Sequence, residues 1–141
     1  MSRVAYVNGR YVPHREARVH TEDRGYQFAD AVYEVTGMFD GRFLDEEPHL
    51  DRLDRSLKEL RIAWPIARGA LKLVLRETVR RNRVRNGLVY FQVSRGVARR
   101  DFGFPKRVRP SLVVTARATT PVSVDPGPGV GVITVPNIRW K

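Results

Sequence analysis

AVYEVTGMFDGRFLDEEPHLDRLDRSLKEL, residues 31–60, decides how this chain folds. Its opening residues put Tyr33, Val35 and Phe39 on one face at a period of two, which is the spacing of a strand. Asp40-Gly41 supplies the positive φ values of a tight hairpin turn and sends the chain into Arg42-Phe43-Leu44. Pro48 then stands at a helix start, and Leu50, Leu53, Leu57 and Leu60 recur at helical spacing, with Asp54 four residues before Lys58 as a supporting ion pair. A strand hairpin therefore runs directly into an amphipathic helix.

Working outward, Val4 to Val12 reads as two short strands joined by Asn8-Gly9, a second hairpin of the same kind. On the far side, a second helix is predicted from about Ala67 to Arg81, with Leu71, Val74, Leu75 and Val79 as its apolar stripe and Asn86-Gly87 as its stop. Leu88 to Val93 and Leu112 to Ala116 are β-branched and apolar enough to be strands in the middle of a sheet. The order strands, helices, strands predicts an α+β domain of two layers, an antiparallel-rich sheet carrying two helices.

A hydrophobic content of 42% over 141 residues suffices for one ordinary core and not for two. Residues 1–118 are expected to form that domain. TTPVSVDPGPG at 119–129 packs three prolines and two glycines into a stretch that reads as an interdomain linker. Residues 130–141 would begin a second, incomplete domain with a strand over Val130 to Val135.

Cysteine is absent, which removes disulfides, thiolate metal sites and a cysteine nucleophile together and is consistent with a cytoplasmic protein. The N-terminus carries no apolar run of signal-peptide length, and no stretch approaches the ~20 apolar residues of a membrane span. The formal charge of +11 raises the alternative of a basic nucleic-acid-binding module. Against it, the arginines are spread along the whole chain, and the densest group, Arg80, Arg81, Arg83 and Arg85, falls at a helix end where cations complement the dipole and face water. His14, His20 and His49 are isolated and read as surface or capping residues, so no metal site is expected. GPGVG at 127–131 lacks the lysine and hydroxyl of a phosphate-binding P-loop and reads as a turn.

Four blocks carry a more specific signal: DRGYQFADAVYEV at 23–35, HLDRL at 49–53, YFQVSRGVARRDFGFP at 90–105 and VPNIRWK at 135–141. In order and spacing they resemble the D-amino-acid transaminases of the fold type IV (class IV) pyridoxal-phosphate family. The branched-chain aminotransferases and aminodeoxychorismate lyases of the same fold are the alternatives. The resemblance implies a homodimeric enzyme using pyridoxal 5'-phosphate to move an amino group from a D-amino acid such as D-alanine to a 2-oxo acid such as 2-oxoglutarate. It assigns the cofactor phosphate to Arg52, whose guanidinium offers paired, permanently charged donors. It places Tyr33 near the substrate carboxylate, Val35 and Tyr90 in the side-chain pocket, and Arg100 on the substrate carboxylate from across the dimer interface. Phe102 stands where a histidine often completes that carboxylate clamp, and phenylalanine cannot donate a hydrogen bond.

The same resemblance puts the Schiff-base lysine a few residues beyond a segment like NIRWK, so no catalytic residue is assigned within this chain and Lys141 is not taken for that lysine. The expectation that follows is a chain inactive alone, with activity dependent on a companion C-terminal fragment.

Overall fold

The computed structural model describes residues 3–120, 127 and 129–136. Nine elements of strand or α-helix follow one another in the described chain: β1 (Val4–Val7), β2 (Arg10–Pro13), α1 (Arg24–Phe28), β3 (Ala31–Phe39), β4 (Arg42–Phe43), α2 (Glu46–Glu59), α3 (Arg68–Asn82), β5 (Gly87–Ser94) and β6 (Ser111–Ala118). The strands form one six-stranded sheet in the order β2-β1-β6-β5-β3-β4, every neighbouring pair antiparallel.

Both hairpin turns carry the positive φ values that their Asn-Gly and Asp-Gly dipeptides announce, at Asn8 and Gly9 and at Asp40 and Gly41. The most apolar strands, β5 and β6, occupy the middle of the sheet. The all-antiparallel sheet and two long helices match the α+β expectation.

Strand parity sorts the sheet into a packed face and a bare one. Met38 of β3, Val89, Phe91 and Val93 of β5, and Leu112, Val114 and Ala116 of β6 are buried beneath the helices. Leu50, Leu53 and Leu57 of α2 and Leu71 and Leu75 of α3 meet them from above, all but excluded from solvent. Each such leucine contributes about 1.5–3 kcal/mol by leaving water. α2 lies over β3, and α3 over β6 and β1. The alternate residues of the same strands, Tyr33, Val35, Leu88, Tyr90, Gln92, Val113, Thr115 and Arg117, stay half-buried or exposed on the opposite face, with no helix over them.

Three details depart from the sequence reading. Leu60 continues the leucine spacing but is the C-cap of α2 and is exposed, because the helix ends there. α3 stops at Asn82 with Arg83 left-handed at φ 53°, so the cap is an arginine and Asn86-Gly87 instead leads into β5. The segment 130–136 carries no strand, and Val130, Val132, Ile133 and Val135 are exposed. A strand exists only through ladder partners, and no described strand is paired with this one. Most of the predicted linker and all of NIRWK, including Lys141, lie outside the described residues. Among the described residues, no helix is long and apolar enough to cross a membrane.

A candidate substrate face and its arginine loop

Three of the predicted site residues come together on the bare face. Val35 of β3 pairs directly with Tyr90 of β5, and Tyr33 pairs with Gln92 one step along. Tyr33 and Tyr90 stack with ring centroids 5.5 Å apart and planes 27° from parallel. The Tyr90 hydroxyl donates to Gln92 Oε1. Burial, and then the neighbouring Tyr33, push the Tyr90 phenol above its ordinary pKa, so it remains a protonated donor through neutral pH. Tyr33 is 64% exposed, which leaves its ring available for contact.

Arg52 projects from α2 at the edge of the same sheet. β4 pairs only with Met38 and Phe39, so the first half of β3 has no strand outside it and is reached by the helix side chains instead. There Glu34, turned to the packed face and 2% exposed, receives Arg52 Nε at 2.7 Å, Arg52 Nη2 at 2.6 Å and His49 Nδ1 at 2.8 Å. Burial alone would raise the Glu34 carboxyl, but the hydrogen bonds from Arg52 and His49 and their charge outweigh it and hold it below the ordinary carboxylate range. The reciprocal effect, first the Glu34 hydrogen bond and then its charge, raises Arg52, with a smaller contribution from Tyr33.

Arg52 is thus aimed by Glu34 while its side chain stays 55% exposed over a hollow of about 320 Å³ lined by Asp45, Pro48 and His49. Its Nη1 makes no hydrogen bond among the described residues and is suited to a phosphate oxygen. The donor chemistry fits part of a phosphate grip. The sequence reading took His49 for a surface or capping residue; it is instead a partner of Glu34. Parity puts Glu34 on the strand face opposite Tyr33 and Val35, and because the helices cover that face the buried carboxylate demands partners there.

Arg100 and Phe102 lie elsewhere, on the β5–β6 loop. Arg100 Cζ sits 4.9 Å from the centre of the Phe28 ring, and Phe102 packs on the same ring at 5.8 Å. The hollow around Arg100, lined among others by Val97, Arg99 and Phe104, includes none of Tyr33, Val35 and Tyr90, so within one chain the two groups are not assembled.

That loop is pinned by a buried charge cluster that the sequence reading did not single out. Asp30 accepts from Arg24 Nε at 2.8 Å and from Arg95 Nε at 2.7 Å. Arg24 Nη1 reaches on to the carbonyls of Asp101 at 2.8 Å and Gly103 at 3.3 Å, the residues on either side of Phe102. Arg95 holds the carbonyls of Leu60 and Arg61 at the end of α2. Gly96 closes the arrangement at φ 105°, where a Cβ would come 1.9 Å from the Arg109 carbonyl oxygen. The helix bearing Arg52 and the loop bearing Arg100 are thereby tied to one carboxylate.

A helix-backed antiparallel sheet of this kind is the fold of the corresponding part of fold type IV aminotransferases. It superposes on the branched-chain amino acid aminotransferase of Escherichia coli with a TM-score of 0.78 and 18% identity, over 84% of this chain and 42% of that one. It superposes on the 4-amino-4-deoxychorismate lyase of Pseudomonas aeruginosa with a TM-score of 0.64 and 22% identity, over 81% of this chain and 39% of that one.

The chain belongs to the class IV aminotransferase family, whose sequence profile (Amino-transferase class IV) it matches over residues 31–141. It is similar to the D-alanine aminotransferase of Staphylococcus haemolyticus, 35% identical over 96% of this chain and 48% of that one. The D-alanine aminotransferase of Listeria monocytogenes is 36% identical over 95% of this chain and 47% of that one. The chain spans about half the length of these relatives.

Proposed function

We propose that this chain is the substrate-facing part of a pyridoxal-phosphate-dependent D-amino-acid aminotransferase, transferring an amino group from a donor such as D-alanine to an acceptor such as 2-oxoglutarate. The observation that carries the reading is the bare face itself, where Tyr33, Val35 and Tyr90 meet. The similarity to two D-alanine aminotransferases along nearly the whole chain favours the D-amino-acid reading. The likeness to branched-chain enzymes is one of fold at 18–22% identity.

In this reading Arg52, aimed by Glu34 and His49, holds the cofactor phosphate. When bound, the cofactor acts as the electron sink that makes the bond to the substrate Cα labile. Tyr33 orients the substrate carboxylate, while Val35 and Tyr90 exclude water around its side chain. Arg100 reaches the carboxylate in the neighbouring subunit of a homodimer, which accounts for its separation from Tyr33 within one chain. Phe102 leaves that clamp without a second donor, so donors are held by Arg100 and Tyr33 alone. Residues 1–118 act as one domain, 119–129 as the linker, and 130–141 as the start of a cofactor-binding domain. The protein works in the cytoplasm, with any companion polypeptide that completes its site.

A donor panel tests this. The protein, isolated from its native cells so that associated polypeptide is retained, is supplied with pyridoxal phosphate and 2-oxoglutarate and offered D-alanine, L-leucine or 4-amino-4-deoxychorismate. Turnover of D-alanine well above the others is expected; preferential turnover of either alternative overturns the substrate assignment.

A further inference from the structure

An arginine on a loop has many rotamers and must be aimed before it can grip an anion. Among the described residues the Arg100 side chain makes no hydrogen bond or ion pair, and its one ring contact is Phe28, whose centroid lies 4.9 Å from Cζ. A ring and a carboxylate hold a guanidinium differently. A carboxylate takes up its N–H donors and cancels its charge, whereas an aromatic face attracts the cation through the ring quadrupole and leaves the five in-plane donors of the fork free. An arginine held on a ring is thus immobilised without being neutralised, which suits it to receive an anion.

Phe28 is itself anchored. It is the half-buried last residue of α1, whose first turn Asp23 caps by accepting from the Gly25 amide at 2.8 Å. Arg24, four residues earlier on the same helix face, holds Cζ 4.8 Å from the Phe28 centroid, while Asp30 meets its charge at 2.8 Å. The Nη1 of that arginine also binds the carbonyls of Asp101 and Gly103. One side chain, 4% exposed, therefore fixes both the ring and the loop backbone next to Arg100. Phe102 packs on the same ring, with centroids 5.8 Å apart and planes at 54°. Where the family resemblance expects a histidine, this chain has a second ring against Phe28 in place of a second donor. Phe104 docks further along the loop, its ring 4.4 Å from Arg95 Cζ.

We propose that Phe28 is the positioning residue of Arg100: its ring presents the guanidinium, donors free, to the substrate carboxylate, and Phe102 braces the ring. Acting through Arg100, Phe28 governs how tightly the carboxylate is held and not the chemical step. This rests on the aminotransferase reading for the anion that Arg100 meets, and on the stack itself for how Arg100 is held.

Phe28→Leu removes the aromatic face and keeps an apolar side chain, whereas Phe28→Tyr keeps both. In the 15N-labelled protein, the Arg100 Nε–H should lose its ring-current shift in Phe28→Leu and retain it in Phe28→Tyr, with amides remote from the loop unchanged in each. With D-alanine and 2-oxoglutarate, and the variants produced and isolated natively, Phe28→Leu should raise the donor KM about three- to tenfold at nearly constant kcat, as loss of one cation–π contact would. Phe28→Tyr should restore it. In an Arg100→Gln background Phe28→Leu should add nothing, a coupling that a merely structural ring would not show. An Arg100 Nε–H indifferent to Phe28, a KM unmoved by Phe28→Leu, or an effect that persists in the Arg100→Gln background overturns the proposal. If Arg100→Gln itself leaves KM unchanged, Arg100 does not meet the carboxylate, and that part of the aminotransferase reading falls and takes the proposal with it. An Arg100→Gln effect that Phe28→Leu does not share overturns the positioning role alone and leaves the reading standing.

Discussion

Removing the Asp30 carboxylate should be among the most damaging single changes in this domain. Its side chain is 9% exposed, and those of its partners Arg24 and Arg95 are 4% and 8% exposed, so Asp30→Ala strands two desolvated guanidinium groups without a counter-charge. Breaking a buried ion pair by removing one partner costs about 3–5 kcal/mol, a large share of the ~5–15 kcal/mol that holds a typical domain together. The assay is urea unfolding of wild type and Asp30→Ala, with the triple variant Asp30→Ala, Arg24→Met, Arg95→Met as control.

The single variant should lose several kcal/mol, and the triple variant should regain part of the loss because no unpaired charge remains. The pH dependence follows from the same contact. Burial pulls the Asp30 carboxyl upward, but hydrogen bonds from Arg95 and Arg24 and their charges bring it below its ordinary value in the folded state. Its contribution is therefore present above the unfolded pKa of about 3.9 and is lost as pH falls through the lower folded value. Wild type should shed stability over that acid window more steeply than Asp30→Ala. A loss below about 1 kcal/mol, or identical acid limbs, would refute the cluster's structural role.

Other outcomes are as definite. Leu53→Ala, at a fully buried position of α2, should cost about 2–5 kcal/mol in the same unfolding experiment. Gly96→Ala should lower stability by about 1–3 kcal/mol or more, since the residue is left-handed and a Cβ would collide with the Arg109 carbonyl; an unchanged melting temperature would contradict the loop geometry. Phe102→His adds a donor beside Arg100, so the KM for the D-amino-acid donor should fall severalfold with little change in kcat, measured on the natively isolated protein.

The two-layer architecture was legible because its signals are periodic and local. Two Asx-Gly turns set the hairpins, and leucines three and four apart set α2 over the sheet. What was not legible depended on three-dimensional pairing. α1 spans only Arg24–Phe28, too short to show a period, and is held by Asp23, which caps it by accepting from the Gly25 amide at 2.8 Å. Arg24, Asp30 and Arg95 look like ordinary surface charges in sequence; only folding brings them around one carboxylate. Tyr33, Val35, Tyr90 and Arg52 are singled out only by the family resemblance, and strand parity independently puts the first three on the bare face. Periodicity alone could not separate that face from the packed one, because it registers alternation and not which side the helices cover.

The most direct test of the account is whether the protein binds the cofactor at Arg52 and along the bare face. Pyridoxamine 5'-phosphate, which has no aldehyde to condense with surface lysines, should be titrated into the 15N-labelled protein while the Arg52 Nε–H and the amides of Tyr33 and Val35 are followed. The account predicts saturable shifts at those groups that disappear in Arg52→Gln without loss of fold. Shifts confined to other arginines, such as Arg80 to Arg85, or binding unchanged by Arg52→Gln, would contradict it.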